Sequence, residues 1–103
     1  MQTFDRETIV NKIAETLVKA GSTFSDDKMA VYDRAIEEES KDLSRWAMET
    51  IRENAQVAKK DESPLCDDTG IPHIIIEAGK NRVISGDFLE ALYEGVRKGL
   101  RTL

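Results

Sequence analysis

The spacing of apolar residues is the feature that most limits how this chain can fold. Over residues 5–20, Ile9, Ile13 and Leu17 recur every four positions, which is the spacing of one face of an α-helix. The same periodicity returns in three later segments, at residues 25–40, 41–58 and 87–101. We therefore predict four amphipathic helices and a mainly α fold.

Residues that commonly begin or end helices flank these segments. Asp5 and Ser25 can accept hydrogen bonds from the first turn of a helix, and Gly21 can end the first one. Pro64 cannot continue a helix because it has no N–H group. We expect helical structure over residues 1–62, a loop over residues 63–72 and a C-terminal helix over residues 87–101. Trp46 falls on an apolar helix face, which predicts a place in the core.

Two glycines interrupt the C-terminal helix pattern. Gly95 and Gly99 are four positions apart and therefore lie on the same face of that helix. In a helix interior each glycine costs about 1 kcal/mol relative to alanine. That cost is offset where another element packs so closely that only glycine fits. We therefore expect a close neighbour at this face.

Residues 73–78, with the sequence HIIIEA, are rich in β-branched side chains and predict one short β-strand. The Val83-Ile84 pair could form a hairpin partner across the turn at residues 79–82. A two-stranded ribbon is marginal by itself, so further strands would have to come from another chain or from additional sequence. We expect residues 1–103 to be a single domain and a fragment of a larger α+β subunit.

Composition and charge disfavour several classes of partner. The chain has 103 residues and a formal net charge of -5, with basic residues scattered among acidic ones, so nucleic acid and anionic lipid are poor partners. Its apolar runs are far shorter than a membrane span, and its N-terminus lacks a signal-peptide pattern. Its one cysteine cannot form an internal disulfide, which agrees with a reducing compartment. We expect a cytoplasmic protein.

The motif PLCDDTG, at residues 64–70, contains that one cysteine directly before two carboxylates. As a small apolar residue in a turn, Cys66 would need no function, and this is the usual explanation for a single cysteine. A reactive nucleophile is disfavoured, because Asp67 and Asp68 oppose formation of the thiolate. A metal ion would keep the thiolate deprotonated despite these charges, but one cysteine supplies only one ligand.

The segment ENAQVAKKDESPLCDDTGIPHIIIEAG, followed by DFLEALYEGVRKG, resembles the N-terminal part of the alpha subunit of class I iron–sulfur fumarate hydratases and L-tartrate dehydratases. The resemblance covers residues 53–100, whereas residues 1–52 fit the family's helical N-terminus only loosely. It implies a hydro-lyase that adds water to, or removes it from, a small dicarboxylate. The reactions would be fumarate to malate or tartrate to oxaloacetate.

The resemblance also implies roles for three residues of the motif. Cys66 matches a ligand of a [4Fe–4S] cluster, whose other two cysteine ligands lie later in the family's alpha subunit. Asp68 matches the acid that protonates the departing hydroxyl group. Asp67 stands where the family most often has a substrate-contacting glutamine. An ionised aspartate cannot donate a hydrogen bond. Asp67 is therefore protonated, turned away from the substrate, or matched to a different substrate.

The length of the chain bears on what it can do alone. The resemblance implies that the other cluster ligands, and the base from a beta subunit or C-terminal catalytic domain, are not part of these 103 residues. We therefore expect this chain alone to lack the cluster, to be inactive and to self-associate as a homo-oligomer. The alternative is a stand-alone helical interaction module that retains the scaffold without catalysis.

Overall fold

The computed structural model describes residues 5–66 and 71–103, and its secondary structure is helical. The helices are α1 (Arg6–Ser22), α2 (Asp26–Glu38), α3 (Asp42–Asp61) and α4 (Gly86–Thr102). The predicted caps are confirmed at two of them. The Glu7 N–H donates to the Asp5 carboxylate at 3.1 Å, and the Lys28 N–H donates to the Ser25 hydroxyl at 3.3 Å.

Helices α1 and α4 form the most extensive helix contact in the described part of the chain. A Cβ atom built on Gly95 would lie 2.5 Å from the Ile13 Cβ and 2.8 Å from the Val10 carbonyl oxygen. One built on Gly99 would lie 3.1 Å from the Leu17 Cβ. Because the residue numbers rise together along both helices, α1 and α4 run parallel. The close neighbour expected at the two glycines is therefore α1.

We call this contact the α1–α4 seam. The buried residues of the two helices are small or β-branched apart from Leu92: Val10, Ala14, Val18, Ser22, Ala91, Leu92, Gly95 and Gly99. Ala91 is completely inaccessible to solvent. Because α4 has glycine at residues 95 and 99, it lies close against the Ile13 and Leu17 side chains and the Val10 and Ala14 carbonyl groups of α1.

Helices α2 and α3 form a thinner layer beside the seam. The Phe24 and Tyr32 rings stack with their centroids 5.7 Å apart, and Arg52 pairs with Asp33 across the two helices. The Cα radius of gyration is 17.9 Å, well above the ~13 Å of a compact domain of this length. Trp46 is 62% exposed, so the prediction that it belongs to the core is wrong.

The predicted β-strand is also wrong. Residues 71–85 form no strand, and in residues 5–66 and 71–103 the structure contains no sheet. The Arg82 N–H donates to the Gly79 carbonyl at 3.0 Å, which closes the expected turn, but Ile75 and Val83 on either side are 91% and 92% exposed. A β-rich sequence forms a strand only when a neighbour pairs with its backbone. The described fold is therefore all α, and the predicted mixture of helices with a strand or hairpin is not observed.

None of the helices in the described ranges is long and apolar enough to cross a membrane. The assignment of residues 1–103 to one domain stays a prediction.

Candidate functional site

The Cys66 loop begins where α3 ends. Glu62 has a left-handed backbone, with φ 52° and ψ 43°, and both the Glu62 and Ser63 N–H groups donate to the Ala58 carbonyl. This pattern turns the chain sharply away from the helix axis. It is unusual for a residue with a side chain, since the left-handed conformation costs roughly 1–2 kcal/mol outside glycine. The chain therefore leaves α3 in a defined direction, two residues before Pro64.

Leu65, the residue before Cys66, is held by two different helices. Its N–H donates to the Gly21 carbonyl in the last turn of α1 at 2.9 Å. Its own carbonyl accepts a hydrogen bond from the Asn54 side-chain amide of α3 at 2.8 Å. The segment that presents Cys66 is thus tied to the last turn of α1 and to the middle of α3. Sequence reasoning missed both partners, because neither Asn54 nor Gly21 belongs to the motif.

The structure places Cys66 on the surface, just beyond this anchored residue. Asp67 and Asp68, the predicted substrate-binding and catalytic residues, lie outside the described residues. Where the chain is described, no group of three or more histidine, cysteine, aspartate or glutamate side chains could hold a metal ion. Of the three predicted site residues, the structure therefore locates the cysteine alone.

A [4Fe–4S] cluster fits this site only in part. An exposed cysteine on an anchored loop has the right donor chemistry for one iron ligand. Clusters of this kind need further thiolates, and the chain contains only one cysteine. The 103 residues therefore supply one ligand and cannot hold such a cluster by themselves.

An apolar groove lies beside the loop, at the C-terminal ends of α1 and α4. It has a volume of about 460 Å³ and is lined by residues of the two helices and by residues 71–75. Gly21, which anchors Leu65, is among the lining residues, together with Leu17, Ile74 and Leu100. None of the lining residues is a lysine or arginine. Among the described lining residues, His73 is the one basic side chain that could face a dicarboxylate.

A second, larger cavity of about 1100 Å³ is lined by several charged residues beside apolar ones. Its charged lining residues are three lysines and three acids: Lys19, Lys59, Lys98, Glu15, Asp26 and Glu62. Lys98 of α4 donates to the Asn11 side chain of α1 at 2.6 Å. Positive and negative charges balance in number, so this cavity has no net attraction for an anionic substrate.

Comparison with known proteins identifies the family. The model of the fumarate hydratase (Fumerase) family matches residues 10–103. The chain belongs to this family. A relative from Methanocaldococcus jannaschii, provisionally named L(+)-tartrate dehydratase subunit alpha, is 30% identical over 93 residues. No solved structure is significantly similar to the chain.

The resemblance predicted from residues 53–100 is therefore confirmed, and the family match extends it towards the N-terminus. The aligned part covers 87% of this chain but only 32% of the M. jannaschii protein. The chain thus spans about a third of the length of the curated relative that it matches. Family membership counts against a stand-alone interaction module.

Proposed function

We propose that this chain contributes the Cys66 segment of an iron–sulfur hydro-lyase that adds water to, or removes it from, a small dicarboxylate. Membership of the fumarate hydratase family supports the reaction class. The observation that carries the proposal is the exposed position of Cys66 on a loop tied to two helices. A cysteine that filled space in a turn would instead be expected to be buried.

In the proposed site, three neighbouring residues have different roles. Cys66 would provide one thiolate ligand of a [4Fe–4S] cluster, and the cluster, when complete, supplies a Lewis acid for the hydroxyl group of the substrate. Asp68 would donate a proton to that hydroxyl as it leaves. Two adjacent carboxylates near an anionic substrate disfavour a further negative charge, which favours a proton on one of them. Asp67 would contact the substrate only in its protonated form, because an ionised carboxylate cannot donate a hydrogen bond to a carboxylate.

The remaining parts of the enzyme belong to the same proposal. The other cysteine ligands and the base for the carbon-bound proton would come from further sequence and from a beta subunit or C-terminal catalytic domain. The M. jannaschii relative is named as an alpha subunit, which supports a partner subunit for this chain too. Its name also makes tartrate a substrate to test beside fumarate. Self-association and a cytoplasmic location, where Cys66 stays reduced, complete the proposal.

The decisive test is iron binding through Cys66 in the complete alpha subunit. Wild type, Cys66→Ser and Lys60→Ser would be reconstituted with iron and sulfide under strict anaerobic conditions, together with the partner subunit. Lys60 is an exposed residue near the end of α3, so its replacement by serine is a matched control. We expect Cys66→Ser alone to lose cluster iron and its visible absorbance. Equal iron in all three proteins would refute the assignment of Cys66.

Asp68→Asn tests the acid role separately, because asparagine keeps the shape and removes the acidic proton. This variant should retain its iron but lose hydration activity by about 10²-fold or more, with fumarate and L-tartrate assayed side by side. Loss of iron together with activity would instead assign Asp68 a part in building the site.

A further inference from the structure

The two peptide groups on either side of the Leu65 Cα are fixed by groups from different helices. The Leu65 N–H belongs to the peptide bond with Pro64, and it donates to the Gly21 carbonyl at 2.9 Å. The Leu65 carbonyl belongs to the peptide bond with Cys66, and it accepts from Asn54 at 2.8 Å. Because a peptide group is planar, holding its oxygen also restricts the position of the following Cα atom.

The bond from Asn54 is a specific tertiary contact. Asn54 and Leu65 are eleven residues apart in sequence, with the left-handed turn at Glu62 between them, so no local turn geometry requires the bond. Helix α3 contacts α1, and Ala55, the neighbour of Asn54, is only 3% exposed. The Asn54 side chain thus projects from a packed helix, a rigid base for a loop contact.

The acceptor is a carbonyl oxygen, so the contact needs a donor from the side chain. Asparagine has an NH₂ group for this purpose, whereas aspartate of the same shape presents only acceptors when ionised. Replacing Asn54 by aspartate would set a negative charge against the Leu65 carbonyl. Replacing it by alanine would leave that carbonyl to water.

We propose that Asn54 is a positioning residue that fixes the Leu65–Cys66 peptide and so aims the Cys66 thiol before any ligand binds. This inference rests on the proposed function for the role of Cys66 as a ligand. The contact between Asn54 and Leu65 is present in the chain without any ligand. A ligand residue held in place beforehand loses less conformational entropy when its ligand binds.

The first test follows the loop without any cofactor. Amide hydrogen exchange at Leu65 and the rate of Cys66 alkylation by iodoacetamide would be measured in wild type, Asn54→Ala, Asn54→Asp and Gln56→Ala. Gln56 is exposed on the same helix two residues further on and is the matched control. The exchanging Leu65 N–H is bonded to Gly21, and Asn54 restrains the carbonyl of the same residue. Loss of the Asn54 bond should therefore loosen Leu65, speed its exchange by about five- to tenfold in both Asn54 variants and change the alkylation rate. The control should match wild type in exchange and in melting temperature, and the Asn54 variants should melt at most about 8 °C lower.

Two outcomes would overturn the inference: Leu65 exchange within twofold of wild type in both Asn54 variants, or equal acceleration in Gln56→Ala. The second would show general fraying of α3 instead of a specific contact.

The second test uses the reconstituted alpha subunit with its partner. The rate of iron release to a chelator should rise several-fold in Asn54→Asp and stay unchanged in Gln56→Ala, at a temperature where both proteins are fully folded. Full iron retention by Cys66→Ser would refute the proposed function, while the exchange data would still decide the contact between Asn54 and Leu65. Iron loss in Cys66→Ser, with neither faster exchange nor faster release in the Asn54 variants, would refute the positioning role alone.

Discussion

Replacing Gly95 by alanine tests the α1–α4 seam with a single methyl group. The added Cβ would lie 2.5 Å from the Ile13 Cβ, 2.8 Å from the Ile13 Cγ2 and 2.8 Å from the Val10 carbonyl oxygen. Favourable contacts between carbon atoms lie at about 3.5–4.0 Å, so the overlap with Ile13 is about 1 Å or more. The Ile13 Cβ and the Val10 oxygen are fixed to the α1 backbone. No rotamer change can relieve these contacts, and the two helices must separate.

The expected magnitude follows from two opposing effects. Overpacking a close contact costs about 1–3 kcal/mol, and a clash with backbone atoms belongs at the upper end of that range. Alanine in place of glycine in a helix interior recovers about 1 kcal/mol. The net loss in the free energy of unfolding should therefore be about 2 kcal/mol. For a chain of this length, that is a fall in melting temperature of about 10 °C.

Two other glycines of α4 provide matched controls. At Gly99 the nearest atoms to a new Cβ are 3.1 Å away, so the smaller strain should nearly cancel the gain in helix propensity. At Gly86 nothing lies within 4 Å, and alanine should be neutral or slightly stabilising. Urea and thermal unfolding, followed by circular dichroism, would rank the variants. A Gly95→Ala protein as stable as Gly86→Ala would refute the close parallel packing of α1 and α4.

Two further predictions concern charge and exposure. The pKa of Glu94 is lowered from 4.5, first by its hydrogen bond with Arg97 and then by the charges of Arg97 and Arg101. A lowered pKa stabilises the fold above pH 4.5, and this stabilisation is lost as the pH falls below that value. The Glu94→Gln variant should therefore be less stable than wild type above pH 4.5, and its free energy of unfolding should change less as the pH falls below that value. Identical acid-unfolding profiles of the two proteins would contradict the ion pair. The fluorescence of Trp46, the one tryptophan, should be readily quenched by acrylamide. Trp46→Ala should lower the free energy of unfolding by about 1–2 kcal/mol, less than the roughly 3–5 kcal/mol of a core aromatic. Fluorescence shielded from acrylamide would contradict the exposure of the indole.

The helices could be predicted from the sequence because their signals are local. Apolar spacing placed α1 and α4, and short polar residues at Asp5 and Ser25 marked the starts of α1 and α2 to within a residue. The cost of glycine in a helix also pointed to a close neighbour at Gly95. The identity of that neighbour, and the parallel direction of the contact, depend on the path of the whole chain and could not be read from spacing.

The predictions that failed concern residues whose structure depends on a neighbouring element. Residues 73–78 have the composition of a strand, but strand formation is decided by backbone groups on a neighbouring strand, and no such neighbour occurs in the described structure. Trp46 lies on the apolar side of its helix pattern, yet no element within residues 5–66 and 71–103 covers that side of α3 near its N-terminus. Hydrophobicity indicates which surface would gain from burial, whereas topology determines whether anything reaches it.

The chemistry of the candidate site could be predicted from the sequence, but the contacts that hold its loop in place could not. Cys66 stood out because it is the only cysteine and is followed by two carboxylates. Asn54 gave no signal, since an exposed polar residue on a helix is ordinary. Its contact with Leu65 exists because a sharp turn at Glu62 returns the chain towards α3. Such a contact becomes visible only in three dimensions.

The seam and the loop are mechanically connected, because Gly21 lies on α1 and accepts the hydrogen bond from Leu65. If Gly95→Ala moves α1 by about 1 Å, the 2.9 Å bond between Leu65 and Gly21 would stretch beyond normal hydrogen-bonding distance unless the loop follows α1. Asn54, on α3, holds the other side of Leu65 and resists that movement. Leu65 exchange should therefore accelerate more in Gly95→Ala than in Gly99→Ala. Equal exchange in the two variants, despite unequal stability, would show that the loop is held by α3 alone.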